Sequence, residues 1–291
     1  MKHDPYIKKF AFKDGLPQEF ELVELGKLFK EHSDSLTIPH RTGFYHVLWF
    51  QKGTPTHMMD FETITIEPNT LLFLNKDTVQ QFDKNEKIAG KALLFTESFF
   101  CRSVPDTKFL RSTILFNDLF SISKIKLPSD DSVVPSIIDH IRKELEKAKD
   151  DFQSTILHNL LHNLLLHCER ERRKQDFTEI KQSVDLDIVM LFREELDIHY
   201  KHHKKVAYYA NIIGATAKRL NRATSRVLDK SPKSIIDDRV LLESKRLLAH
   251  TTSSVKEIGF ELGFDEPTNF IKYFRKHLDL TPNDFRERNS L

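Results

Sequence analysis

Two short stretches of this sequence place amide and guanidinium side chains at helical spacing. In the first, Lys218, Asn221 and Arg222 share one side of a segment whose other side is Leu220, Ala223 and Val227. Arginine can pair bidentately with guanine and asparagine with adenine, so this side has the chemistry to read base edges in a major groove. Thr216, Arg219 and Arg226 flank it as candidates for DNA phosphates. In the second stretch Glu266, Thr268 and Asn269 lead and Lys272 follows a turn later, opposite an apolar side of Phe270 and Phe274. These four are also base-contact candidates, but Glu266 would repel phosphate and Pro267 has no N–H to donate. The second stretch is therefore expected to read bases weakly and to position the protein, with Arg275 and Lys276 on phosphates. The competing structural reading of both stretches is a solvated basic helix face.

Side chains can enter a groove only from a rigid support, and the flanking residues describe one twice over. Val206 to Ile213 is a short apolar-periodic segment, followed by Gly214, the N-cap candidate Thr216 and a helix from Ala217 to Leu228. Val255 to Leu262 repeats the pattern, followed by Gly263, the N-cap candidate Asp265 and a helix from Glu266 to Leu278. Glycine tolerates the positive φ of a tight turn, and Thr or Asp satisfies the first N–H groups of the second helix. Ala210 and Gly259, 49 positions apart, are small where two helices would cross closely. Between the copies, Ser234 to His250 reads as one helix with Ile235, Ile236, Val240, Leu241, Leu247 and Leu248 on its apolar side. Such a helix is roughly 25 Å long, the order needed to hold two recognition helices in grooves about 34 Å apart.

The second copy, Ile258-Gly259-x-x-Leu262-Gly263-Phe264, then Thr268-Asn269-Phe270 and Phe274-Arg275-Lys276, closes with Leu280-Thr281-Pro282-x-x-Phe285-Arg286. This run resembles the signature of the AraC/XylS transcription regulators, and the similarity extends from about Asp185 to Arg288. The resemblance implies a sequence-specific DNA-binding regulator whose partners are double-stranded DNA, a small-molecule effector and RNA polymerase. It also implies an N-terminal cupin-like barrel, with Pro39-His40-Arg41 resembling its entrance, and places Arg239 and Arg246 as braces of the spacer helix by ion pairs.

At 291 residues two domains are expected. From Tyr200 onward there are 18 Lys and Arg against 11 Asp and Glu, while the remainder holds 27 against 32, a basic module joined to a mildly acidic one. The expected fold is α+β: a cupin-like barrel or jelly roll over 1–173 ending in a helical hairpin at 134–173, a linker at 174–183, and an all-α domain over 184–291. Residues 1 to about 127 read as β, with Phe44–Phe50, Glu62–Ile66, Leu71–Leu74 and Lys91–Phe95 as strands and a polar turn at Asp83–Lys87. Charged residues from Glu171 to Ser183 read as the linker. Leu186 to Tyr200 reads as a helix with Val189, Met190, Phe192, Leu196 and Ile198 packing beneath the first motif.

In the hairpin's second helix, Phe152 to Arg173, the residues Leu157, Leu161, Leu164 and Cys168 step at coiled-coil spacing. Internal packing would use that seam, but Ile156, Leu160 and Leu165 widen the apolar face, so it is expected to pair with a second copy as a homodimer interface. Cys101 and Cys168 form no metal-type pair and suit a reducing cytoplasm. The N-terminus, Met1-Lys2-His3-Asp4-Pro5, carries no apolar leader, and no apolar run is long enough to cross a membrane. His158, His162 and His167, and separately His40, His46 and His57, lack the partners of a convincing metal site, so no metal or other cofactor is expected. The alternatives to a regulator are a cupin-type enzyme with an accessory DNA-targeting domain, and a DNA-binding protein whose N-terminal domain is purely structural.

Overall fold

The computed structural model describes residues 7–13, 15–16, 18–84, 88–116, 122–128, 133–175 and 183–289. They divide into two compact units, one within residues 9–179 and the other of residues 7 and 8 with residues within 180–291. Residues 1–5, 85–87 of the polar turn, and 176–182, most of the linker, lie outside the described residues.

The first unit is built from β1 (Lys8–Phe10), β2 (Phe20–Glu24), α1 (Leu25–Leu36), β3 (His40–Thr42), β4 (Tyr45–Lys52), β5 (Thr56–Met59), β6 (Glu62–Thr65) and β7 (Thr70–Leu74). It continues with β8 (Gln80–Phe82), β9 (Ala89–Phe95), α2 (Glu97–Phe100), α3 (Val104–Ser112), β10 (Lys124–Lys126), α4 (Val133–Leu145) and α5 (Gln153–Lys174). The strands make two five-stranded sheets, in orders β1-β3-β8-β5-β6 and β10-β7-β4-β9-β2. Side chains alternate across a strand, and the central strands of the second sheet use both faces. Leu48, Leu72 and Leu94 meet Ile64 and Phe82 of the first sheet. Val47, Phe73 and Leu93 share a second core with Ile137 and Ile141 of α4 and with α5. The layers are thus sheet, sheet and helical hairpin, which explains why β4 reads as a near-continuous apolar run.

The all-β reading of the first 127 residues missed α1, α2 and α3. α1 buries only Leu25 and Phe29 and is kinked at His32, so its apolar period is weak. α3 carried a legible start: the Ser103 hydroxyl caps the Asp106 N–H and Pro105 lies in the first turn.

The dimer seam is corrected by packing. Leu157, Leu161, Leu164 and Cys168 are fully buried within one copy of the chain, as is Leu165, inside the core shared with α4 and the second sheet. The sheet's apolar outer face supplies the partner that the sequence alone left open. The helix also runs on through Lys174, and Gln175 still pairs with the Lys126 backbone, so residues 171–175 are not linker.

The second unit is all helical: α6 (Val184–His199), α7 (Val206–Ile212), α8 (Ala217–Leu228), α9 (Pro232–His250), α10 (Val255–Glu261), α11 (Pro267–Leu278) and α12 (Pro282–Asn289). Its core joins Phe192, Leu196, Tyr209, Leu220, Val240, Leu248, Ile258, Phe270 and Phe274. Val189, Phe192 and Leu196 of α6 are buried as expected, but Ile198 is 61% exposed. α9 starts two residues earlier than the apolar period indicates, because the Ser231 hydroxyl accepts the Ser234 N–H and Pro232 opens the helix.

Candidate nucleic-acid interface

In the first motif, Tyr209 and Ala210 seat α7 on the core, and the chain turns through Gly214 at φ 66°. The Thr216 hydroxyl accepts the Arg219 N–H at 3.1 Å and starts α8. That bond engages the Thr216 side chain in capping. α8 buries Leu220, Ala223 and Thr224, while Val227 is half-buried. With that side fixed inward, Lys218, Asn221, Arg222 and Ser225 form the exposed side. Arg219 and Arg226, expected at phosphates, both reach Asp185 in the first turn of α6, at 2.6 Å and 3.2 Å. Burial works to raise the Asp185 pKa, but the two guanidiniums outweigh it and hold the carboxyl below the ordinary carboxylate range.

The second motif opens with a capping box at α10, where Ser254 and Glu257 bond reciprocally. Gly259 packs on Phe270, and any side chain there would crowd it: an added Cβ would lie 3.2 Å from the Phe270 Cβ. Gly263 has two reasons to be glycine. Its φ is 72°, and an added Cβ would lie 2.0 Å from the Lys201 carbonyl oxygen. Next to it the Lys204 ammonium donates to the carbonyls of Leu262 at 2.7 Å, Lys201 at 2.9 Å and Gly263 at 3.3 Å. All three protons have acceptors, and the charge lies 4.6 Å from the Phe264 ring centroid. Burial, reinforced by nearby Lys233, lowers the Lys204 pKa from its ordinary value.

The N-cap of α11 is Glu266, not Asp265, and its side chain makes no capping bond. Proline at the first helical position explains the shift, since it forces the preceding residue into extended backbone. Glu266 is extended, at φ −133° and ψ 136°. Thr268, Asn269, Lys272, Arg275 and Lys276 are all exposed with Glu266, around buried Phe270 and Phe274. The exposed side also includes Ile271, so it is less polar than its counterpart on α8.

α9 braces both halves through buried charge. Arg239 pairs with Asp197 at 2.7 Å and with Glu243 at 3.3 Å, and Arg246 with Glu243 at 3.1 Å. Asp237, also on α9, accepts from the Tyr273 hydroxyl at 2.7 Å and from Lys233 at 2.6 Å, tying α11 down. Sequence reasoning found Arg239 and Arg246 through the family resemblance. It passed over Asp185, Lys204 and Asp237, each of which has a partner more than 30 residues away that leaves no periodic signal.

In the first unit His40, His46 and His57 are all buried. His46 and His57 are pulled down to about 3, chiefly by burial and next by the charge of His40. Among the described residues no cluster of three or more His, Cys, Asp or Glu is placed to hold a metal ion. No described helix is long and apolar enough to cross a membrane. A cavity of about 880 Å³ opens on this unit beside Lys9, Phe12, Glu19, Thr96, Glu97 and Cys101.

A family model described as the AraC-like ligand binding domain matches residues 27–165, and one for a helix-turn-helix domain matches residues 209–288. The HTH-type transcriptional activator RhaS of Escherichia coli is 21% identical over 254 residues, covering 85% of this chain and 87% of RhaS. Among solved structures, ToxT from Vibrio cholerae aligns over 94% of this chain and 96% of its own, with 10% identity and a TM-score of 0.42. An AraC-type DNA-binding regulator from Chromobacterium violaceum aligns over 35% of this chain and 92% of its own, with 20% identity and a TM-score of 0.33. Two helix-turn-helix motifs and a ligand-binding-type sheet domain on one chain define a DNA-binding transcription regulator. The chain belongs to the AraC family. These matches support a regulator and not the cupin-enzyme alternative.

Proposed function

We propose that α8 is the principal base reader, with Lys218, Asn221 and Arg222 at base edges, and that α11 chiefly positions the protein. The observation that carries this is the side of α8 left exposed: two cations and an amide on one face, opposite a buried Leu220–Ala223–Thr224 seam. On α11, Thr268, Asn269 and Lys272 face outward with Glu266, whose charge opposes close approach to phosphate, while Arg275 and Lys276 make the backbone contacts. The test is selection from a random duplex pool with wild-type protein and with Arg222→Ala. Wild-type protein should enrich a site of two conserved blocks, and the variant should lose preference at one position. Enrichment of an identical site by both would remove Arg222 from the readers.

In this reading 184–291 is the DNA-binding domain and 1–173 the effector and dimerisation domain. Its open cavity falls within the usual size of small-molecule sites, about 300–1,000 Å³. The homodimer is proposed on a different face of α5 from the buried seam. Phe152, Ile156, Asn159, Asn163 and Leu166 step at 4, 3, 4 and 3 residues along its exposed side. Phe152, Ile156 and Leu166 are 71%, 38% and 46% exposed. Asparagine within such a seam favours a defined register and oligomer at a cost in stability.

A further inference from the structure

Asp185 lies where α6 begins, in a turn capped by the Ser183 hydroxyl, which accepts the Leu186 N–H. An acidic residue there is ordinary, since it complements the helix dipole. Its partners are not ordinary. Each carboxylate oxygen meets a different arginine of the recognition helix. Arg219 Nη1 lies 2.6 Å from Oδ1, a close ion pair without hydrogen-bond alignment, and Arg226 Nη1 donates to Oδ2 at 3.2 Å. The two arginines are seven residues apart, so they share one flank of α8, two turns or about 10 Å in length. That flank adjoins Arg222 on the exposed side. A helix inserted in a major groove has its flanks along the phosphate strands. Here a carboxylate occupies the two guanidiniums that would face such a strand, and only 14% of its side chain is exposed.

We infer that Asp185 is an internal phosphate mimic, which holds Arg219 and Arg226 off the DNA backbone and thereby limits the sequence-independent affinity of the first recognition helix. The inference rests on the reading of α8 as the base-reading helix. The clamp leaves Lys218, Asn221 and Arg222 on the exposed side, so it lowers backbone attraction without touching the base readers and raises the ratio of specific to non-specific binding. It also belongs to the first helical turn after the segment between the two units, so the charge presented by α8 depends on that turn being folded.

The experiment uses full-length protein and a fluorescent mixed-sequence duplex, with anisotropy measured over a series of salt concentrations. Each phosphate newly neutralised adds about 0.9 to the magnitude of the slope of log affinity against log salt. Asp185→Asn should bind more tightly at low salt, with a slope steeper by about one to two. Arg226→Ala alone should leave the wild-type slope nearly unchanged. In the Asp185→Asn background the same change should remove about one unit of slope. An Asp185→Asn slope equal to or shallower than wild type overturns the inference, and so does a double variant that keeps the whole gain. If Asp185→Asn does not fold, Arg226→Ala in the wild-type background decides: an unchanged slope supports the clamp, and a loss of about one unit overturns it. Wild-type protein that binds no duplex would instead sink the reading of α8 as a DNA helix.

Discussion

At the scale of single residues, the interface contains side chains of similar type and different consequence. Arg222 is exposed on the side of α8 opposite its buried seam, whereas Arg219 and Arg226 are engaged by Asp185. Replacing Arg222 with alanine should cost about 1–3 kcal/mol in binding to the preferred site and relax one base position. Lys276 is exposed near the end of α11 and is proposed to meet phosphate. Lys276→Ala should weaken binding to all sequences alike and make the salt slope shallower by about one. Titrations of both variants against preferred and scrambled duplexes check this, and a sequence-selective loss in Lys276→Ala would show that it reads a base. Leu161 belongs to the same scale. It is fully buried between α5 and the sheet, so Leu161→Lys should unfold the first unit rather than merely split a dimer.

At the scale of elements, the loop before the first motif sets the geometry of the second. Lys204 crosses from that loop to the carbonyls at the end of α10, and the Lys201 carbonyl approaches Gly263 too closely for any side chain. Gly214, at the matching turn, has the same sign of φ but nothing within 4 Å of an added Cβ. Gly263→Ala should therefore destabilise the second unit clearly more than Gly214→Ala, which meets only the cost of a positive φ, about 1 kcal/mol. Urea unfolding of the two variants compares them, and equal losses would mean that the loop yields freely. Lys204→Met keeps the aliphatic stem and removes the donors. It should cost about 1–3 kcal/mol in stability and blunt discrimination between two-block sites of correct spacing and sites with one inserted base pair. Unaltered spacing preference in a folded variant would show that α9 alone holds the two motifs in place. On α5, replacing Ile156 and Leu166 together with glutamate should give a folded monomer by sedimentation. A folded variant that stays dimeric would place the interface elsewhere.

At the scale of the whole molecule, the first unit should be acid-sensitive. His46 and His57 sit between its two sheets and are held neutral by burial, down to a pKa of about 3. In the unfolded chain they titrate near 6.5, so between pH 6.5 and about 3 the unfolded state binds more protons than the folded one. Stability contributed by their neutrality is present above pH 6.5 and is lost as pH falls toward 3, at up to about 1.4 kcal/mol per pH unit for each histidine. The midpoint of chemical unfolding of this unit should drop between pH 7 and pH 4.5, and His57→Phe should flatten that drop. A variant with the same pH dependence as wild type would show that other groups set it.

The sequence by itself determined what depends on neighbours within a turn or two of chain. The apolar periods of α8, α9 and α11, the Thr216 cap, the two turn glycines and the strands around Val47, Leu72 and Leu93 are such features. Each is a relation between residues a few positions apart, and the repetition of the motif made it legible twice. The tertiary structure alone decided which surfaces remain available. Leu157, Leu161 and Leu164 have the spacing of a seam, and spacing cannot say whether a sheet or a second helix covers it. Arg219 and Arg226 are basic residues on a recognition helix, and only the fold brings Asp185 to them from the start of α6. Lys204 finds its carbonyls 58 and 59 residues away. Burial, charge pairing and close backbone approach depend on distances in space between residues remote in the chain, and local spacing carries no record of those distances.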